Sequence, residues 1–323
     1  MAMTIPLTDL PSPDAPLRIG TRGSPLALAQ AHETRARLMA AHGLPAEAFA
    51  ITVLKTTGDV VLDRPLSEIG GKGLFTKELE AALLTDRCDL AVHSMKDVGV
   101  DRPSGLTLSC ILPREDVRDA FVCHDFATFE DLPAGAVVGS SSLRRRAQLL
   151  HRRPDLVCVE FRGNVQRRMQ KLSDGVAVAT FLAVAGLRRL GMTALAERAI
   201  EVEVMLPAVA QGAIGIEHRS TDARAAALIA PLNDPDSATR LTAERAFLAG
   251  LDGSCRTPIG GLAELLPGGR LRLRGEILKP DGSVCHRTMR TGPASDAAAM
   301  GADAAEELRL RGGPGFFEGM DTR

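Results

Sequence analysis

The feature that most constrains this chain is a recurring junction, an apolar strand that ends in small or polar residues and opens into a helix. It is first seen in LRIGTRGSPLALAQAHETRARLMAAHG, residues 17–43. Ser24 suits a helix N-cap there, Pro25 the first turn and Gly43 the C-terminal stop. AITVLKT (50–56) reads as a second strand, TKELEAALLTD (76–86) as a helix and CDLAVHS (88–94) as a third strand. The plan recurs in AGAVVGSSSLRRRAQLL (134–150), LVCVEFRGNVQRRMQKL (156–172) and GVAVATFLAVAGLRRLG (175–191). Strands alternating with helices predict α/β domains with largely parallel sheets. The pattern then changes to a helix near 237–249, the hairpin GRLRLRGEILKPDGSVCHRTMR (269–290) turning at Pro-Asp-Gly, and a helix near 295–310. That order predicts a C-terminal α+β domain, and 323 residues accommodate two or three domains.

Charge narrows the ligand. The whole chain carries a net charge of −1, so no global field recruits nucleic acid or an anionic membrane, and the absence of Trp and Tyr leaves few platforms for stacking bases. The apolar runs are broken by charge well short of a membrane span, and the first 16 residues read as a disordered lead-in rather than a signal peptide. Within 140–190, however, eleven Lys and Arg face three acids. Arg144, Arg162 and Arg189 fall at or shortly beyond strand C-terminal ends, the edge at which open α/β sheets bind ligands. Ser140, Ser141 and Ser142 place hydroxyls at a helix start, and guanidinium groups pair with planar carboxylates. The expected ligand carries several carboxylates or phosphates.

Two motifs invite chemistry. In AVHSMKD (91–97) an apolar strand ends in His93, Ser94, Lys96 and Asp97; a carboxylate among cations stays ionised and can favour a cationic reaction centre, although a salt-bridged strand exit is the plainer reading. GGKGLF (70–75) is not a nucleotide loop, because Leu66 and Gly73 occupy positions that such a loop fills with Gly and with Ser or Thr. It fits a flexible lid from which Lys72 reaches an anion. The six cysteines show neither a C-x-x-C pair nor metal-ligand spacing with histidine, so no metal is expected and the thiols suit a reducing cytoplasm. Five of them (88, 110, 123, 158, 285) sit in or beside apolar runs, but Cys255 lies in the turn-rich LDGSCRTPIG (251–260).

TRGSPLAL, GDVVLDRPL, GGKGLFTKELE, AVHSMKD, SSLRRRAQL, RGNVQRR, LAVAGLRRLG, AQGAIGIE and GSCRTPIG occur in an order that resembles the porphobilinogen deaminase (hydroxymethylbilane synthase) family, from about residue 17 to the last helix. The resemblance implies a transferase of porphyrin and heme biosynthesis. Four porphobilinogens condense with loss of ammonia onto a dipyrromethane cofactor, and a linear tetrapyrrole is released by hydrolysis. It implies that Cys255 bears the cofactor through a thioether and that Asp97 is catalytic. Ser24, Ser94, Lys96, Asp97, Ser140, Ser142, Arg144, Arg145 and Gly186 would hold the cofactor. Arg22, Arg162, Asn164, Arg168, Arg189 and Gln211 would bind the growing pyrrole chain, with Lys72 and Phe75 on the lid. The implied fold has three domains, two of them lobes like those of periplasmic binding proteins. These are 17–112 with 213–230, the Arg-rich 118–206, and 235–323, after a lead-in of 1–16. A cytoplasmic monomer without nucleic-acid or membrane partners is expected. Ser254, Ala210 and Val178 depart from residues frequent in the family, Gly at the first two and Asp at the third. The rival reading is a two-lobed anion-binding module without catalysis, for which a loaded cysteine has no use; a nucleotide-using transferase is disfavoured by the failed loop patterns.

Overall fold

The computed structural model of the chain describes residues 10–56, 76–253 and 257–317. Among them are strands β1 (Leu17–Arg22), β2 (Phe49–Leu54), β3 (Leu90–Ser94), β4 (Leu106–Ile111), β5 (Asp119–Cys123) and β6 (Val137–Gly139). The second half adds β7 (Val157–Val159), β8 (Ala179–Ala183), β9 (Ile214–Arg219), β10 (Ile259–Leu266), β11 (Arg270–Leu278) and β12 (Cys285–Pro293). The described residues form two compact units, one made of 10–56, 76–114 and 213–238, the other of 115–212, 239–253 and 257–317.

The first unit holds a five-stranded sheet in the order β2-β1-β3-β9-β4. The Pro25–His42 helix follows β1 as the sequence predicts: Ser24 accepts from the Ala27 amide, Pro25 opens the first turn, and Gly43 stops the helix at φ 65°. The expectation of a largely parallel sheet is corrected. β1 runs parallel to β2 and β3, but β9 lies antiparallel to both β3 and β4. The reason is where the chain returns: Ile214 pairs with Ser94, so β9 starts where β3 ends and runs back along it. Leu17, Ile19, Leu90, Val92, Ile214 and Ile216 pack with Leu38 and Phe49 on one side of the sheet. Leu79, Leu83, Cys88 and Ala91 form a second cluster. Apolar packing of this kind matches the Leu90-Ala91-Val92 run of β3, whereas β1 alternates Leu17 and Ile19 with half-buried Arg18.

The second unit contains two sheets. The four-stranded one, β5-β8-β6-β7, is parallel at β6/β7 and β6/β8 and antiparallel at β5/β8. Its core is centred on Phe121, Phe129 and Phe181, whose ring centroids lie 5.8–6.3 Å apart. The other sheet, β10-β11-β12, is antiparallel throughout, and its β11–β12 turn at Lys279–Val284 places Gly282 at φ 76°. The hairpin and the flanking helices Pro235–Gly250 and Ala297–Gly312 are therefore found as read; β10 is an addition.

No helix among the described residues is long and apolar enough to cross a membrane. Cys88, Cys110 and Cys123 are buried, Cys158 and Cys285 half-buried, and all five are free thiols. Burial pushes Cys110 up to about 12 and Cys88 and Cys285 to about 11, so these thiols stay protonated and unreactive near neutrality.

Candidate active site

In the first unit the polar groups gather where β3 ends. Residues Met95–Asp97 form one tight 3-10 turn. Met95 is buried, its amide donates to the Ala213 carbonyl at 3.0 Å, and its sulfur lies where a Cβ on Gly215 would fall. With Met95 pinned, Lys96 and Asp97 are left half-buried on the turn. Arg22, at the end of β1, brings Nη1 to 3.9 Å from Asp97 Oδ2. Ser94 is paired with Gln30 of the Pro25–His42 helix, at 2.8 Å from Nε2 to Oγ. Ser24 serves as that helix's N-cap.

His93 does not join this cluster. Its ring Nε2 lies 2.9 Å from Oε2 of fully buried Glu217 on β9, whose other oxygen faces Arg102 at 3.2 Å. Strand alternation explains the separation, since adjacent residues on β3 point to opposite faces of the sheet. Of the four polar groups read together at this strand exit, three are half-buried at its end and the fourth is turned into the interior.

In the second unit the GSSSLRRR junction folds as its residues suggest. β6 ends at Gly139, where a Cβ would strike the Phe161 ring at 2.3 Å, so only glycine permits this approach. Ser140 Oγ and the Ser142 amide are 3.3 Å apart, and Ser142 caps the Leu143–Arg152 helix. Arg144 and Arg145 open that helix but are buried rather than displayed, at 4% and 5% exposure. Both bind Asp119, the first residue of β5: Arg144 Nη1 at 2.7 Å from Oδ2, and Arg145 Nη2 at 2.6 Å and Nε at 3.1 Å from Oδ1. Gln211 Nε2 adds a bond to Oδ1 at 2.9 Å. Burial by itself would raise the Asp119 carboxyl, but the two guanidinium charges and their hydrogen bonds overturn this and hold it well below the ordinary carboxylate range. Arg145 is pushed down by its burial, which outweighs its partner.

The remaining basic positions lie on neighbouring junctions. Asn164 caps the Val165–Ser173 helix by accepting from the Arg167 amide at 2.9 Å. Arg168 Nε donates to the Gly163 carbonyl at 2.9 Å. Arg162 is half-buried beyond β7. Arg189, closing the short Val184–Arg189 helix in which Gly186 is buried, donates to the Gly212 carbonyl at 3.1 Å. Lys72, Phe75 and Cys255 lie outside the described residues, as does Ser254.

Asp119 and Glu217 were missed in the sequence. Each is one acid within a strand, Asp119 opening β5 and Glu217 inside β9, indistinguishable in sequence from a solvated charge. Ala210, one of the departures, has φ 60°, which explains why glycine suits that place; Val178 is exposed.

The donor set suits an anionic ligand: two guanidiniums share one carboxylate, and Nε of Arg144 and of Arg146 are buried without a hydrogen-bond partner among the described groups. Fold and donor set together define a mixed α/β protein whose guanidinium groups gather at strand ends. Residues 17–227 match the model of "Porphobilinogen deaminase, dipyromethane cofactor binding domain", and 238–309 that of the "Porphobilinogen deaminase, C-terminal domain". A porphobilinogen deaminase of Paracoccus denitrificans is 68% identical over 312 residues, 97% of this chain and 99% of that one. The chloroplastic porphobilinogen deaminase of Oryza sativa subsp. japonica is 54% identical over 308 residues, 94% and 86% of the two chains. Among solved structures, the methionine-binding protein MetQ aligns with 70% of this chain and 93% of its own at TM-score 0.43 and 11% identity. The chain belongs to the porphobilinogen deaminase family. Its activity is that of a hydroxymethylbilane synthase, a transferase of heme biosynthesis with a dipyrromethane cofactor.

Proposed function

We propose that Cys255 carries the dipyrromethane through a thioether and that Asp97 is the catalytic carboxylate. In this reading Ser24, Ser94, Lys96, Ser140, Ser142, Arg144, Arg145 and Gly186 hold the cofactor. Arg22, Arg162, Asn164, Arg168, Arg189 and Gln211 take the carboxylates of the incoming rings. The three segments 17–112 with 213–230, 118–206 and 235–323 are the domains, a division supported by the three separate sheets. A reducing cytoplasm suits the five free thiols, and the chain works as a monomer.

When bound, the dipyrromethane supplies a primer to which four porphobilinogens are joined, with four ammonia molecules released, before water frees the linear tetrapyrrole. The protein's own task is electrostatic. Each ring brings two carboxylates, and like charges crowded in a partly dry site repel strongly. Guanidiniums offset that repulsion and fix orientation. Asp97, half-buried and near Arg22, supplies the opposite charge, favouring a cationic carbon as ammonia leaves and accepting pyrrole N–H groups.

One observation carries the reading: Arg144 and Arg145 are gathered on a single carboxylate, while the buried Nε atoms of Arg144 and Arg146 have no hydrogen-bond partner among the described groups. The test is intact-mass measurement of the purified protein and of Cys255→Ser. The parent should carry a covalent dipyrrole that the variant lacks; an unmodified parent, or an adduct that persists without the thiol, refutes the attachment.

A further inference from the structure

We infer that Asp119 is the positioning residue for the anion-binding groups of the second unit. It acts by holding Arg144, Arg145 and Gln211 at fixed spacing before any ligand arrives, and it is not itself a group that touches the substrate. The inference rests on the reading that Arg144 and Arg145 hold the cofactor.

The geometry is specific. Asp119 is fully buried at the start of β5, and its two oxygens are divided among three side chains. Oδ2 takes Arg144, and Oδ1 takes Arg145 twice and Gln211 once. These donors come from two stretches far apart in sequence, the Leu143–Arg152 helix and the turn at Ala210–Gly212. Backbone carbonyls complete the arrangement: Leu206 accepts from Arg144 at 2.9 Å, Phe181 from Arg145 at 2.7 Å and Val117 from Gln211 at 2.8 Å.

Two neighbouring guanidiniums with no anion would repel and swing apart. Recapturing them would then cost side-chain entropy each time a ring is bound. A carboxylate fixed on a sheet strand removes that cost, because the strand and not a flexible loop sets where the cations sit. The arrangement does not maximise stability, since a buried ion pair barely repays its desolvation. What it secures is geometry. One carboxylate against two guanidiniums also leaves N–H capacity over, as the unpartnered Arg144 Nε indicates.

The test compares Asp119→Asn, Asp119→Glu, Asp119→Ala and Arg145→Leu with the parent, each assayed below its own melting temperature. The adducted fraction is read by intact mass, and kcat and KM for porphobilinogen are read on the loaded protein. Asp119→Asn turns one acceptor into a donor that faces a guanidinium. Asp119→Glu keeps the charge and moves it by one methylene, and a cooperative thermal melt confirms that it is folded before loading is read. Both should lower the adducted fraction and raise KM about tenfold, the size usual for residues that orient a binding group, with a smaller change in kcat. In Asp119→Ala, formate should restore loading where chloride at equal ionic strength does not. Parent-like loading and KM in Asp119→Glu, or equal effects of formate and chloride, overturn the role. Reduced loading in Arg145→Leu with parent-like Asp119 variants defeats this inference alone. Undiminished loading in all of them removes Arg145 from the cofactor as well.

Discussion

Glu244 accepts a hydrogen bond from the Ala210 amide at 2.6 Å, and its other carboxylate oxygen accepts from the Ala263 amide at 2.8 Å. One buried side chain of the Pro235–Gly250 helix thereby fixes both the turn that presents Gln211 and the strand β10.

Glu244→Gln keeps the shape but sets an amide NH2 against one of those N–H groups. We expect a loss of about 2 kcal/mol in urea unfolding, the usual cost of a buried polar group left unpaired. Stability equal to the parent's would show that this carboxylate is dispensable.

Ala210 sits at φ 60°, a left-handed conformation that costs an L side chain steric energy. Ala210→Gly should stabilise the protein by about 0.5–1 kcal/mol, the relief of strain outweighing the extra freedom gained by the unfolded chain. The urea midpoint measures this, and a lower midpoint contradicts it.

Asp97 is half-buried on a turn held by Met95, so lengthening its side chain displaces the charge without unfolding the turn. Asp97→Glu should retain the covalent dipyrrole yet lose at least about a hundredfold in turnover, within the range typical of proton-handling groups. Full activity would take Asp97 out of its role.

Asp89 yields a pH prediction. Burial raises its carboxyl, but hydrogen bonds from the Arg18 backbone and guanidinium, with Arg219 beside it, bring the net value below the ordinary range. A depressed native value contributes stability above the unfolded value of about 3.9, and this is lost as the pH falls through the native one. The stability gap between the parent and Asp89→Asn should therefore be widest near neutral pH and narrow as the pH falls below the unfolded value of about 3.9. A gap that stays constant over that span would mean the carboxylate's charge contributes nothing.

Local rules that need only neighbours in sequence were legible. Ser24, Pro25 and Gly43 bracket their helix as read, Ser142 lies at the helix start expected of it, and the Pro-Asp-Gly hairpin forms, whereas the Asn164 cap emerges only from the structure. The clustering of arginines at strand ends was also visible, because strand periodicity and charge are both written in the chain. The direction of β9 was not, since it depends on where a long excursion returns.

Sequence alone thus determined the mixed α/β class, the ends of the Pro25–His42 helix and the residue types available for an anionic ligand, all consequences of short-range propensity and composition. Only the folded chain decided that His93 turns inward to Glu217 and that Arg144 and Arg145 are gathered on Asp119. The physical reason is that a buried charge must find its counter-charge in space. Asp119 is 25 residues from Arg144 and 92 from Gln211, and His93 is 124 from Glu217, separations that no local pattern can bridge.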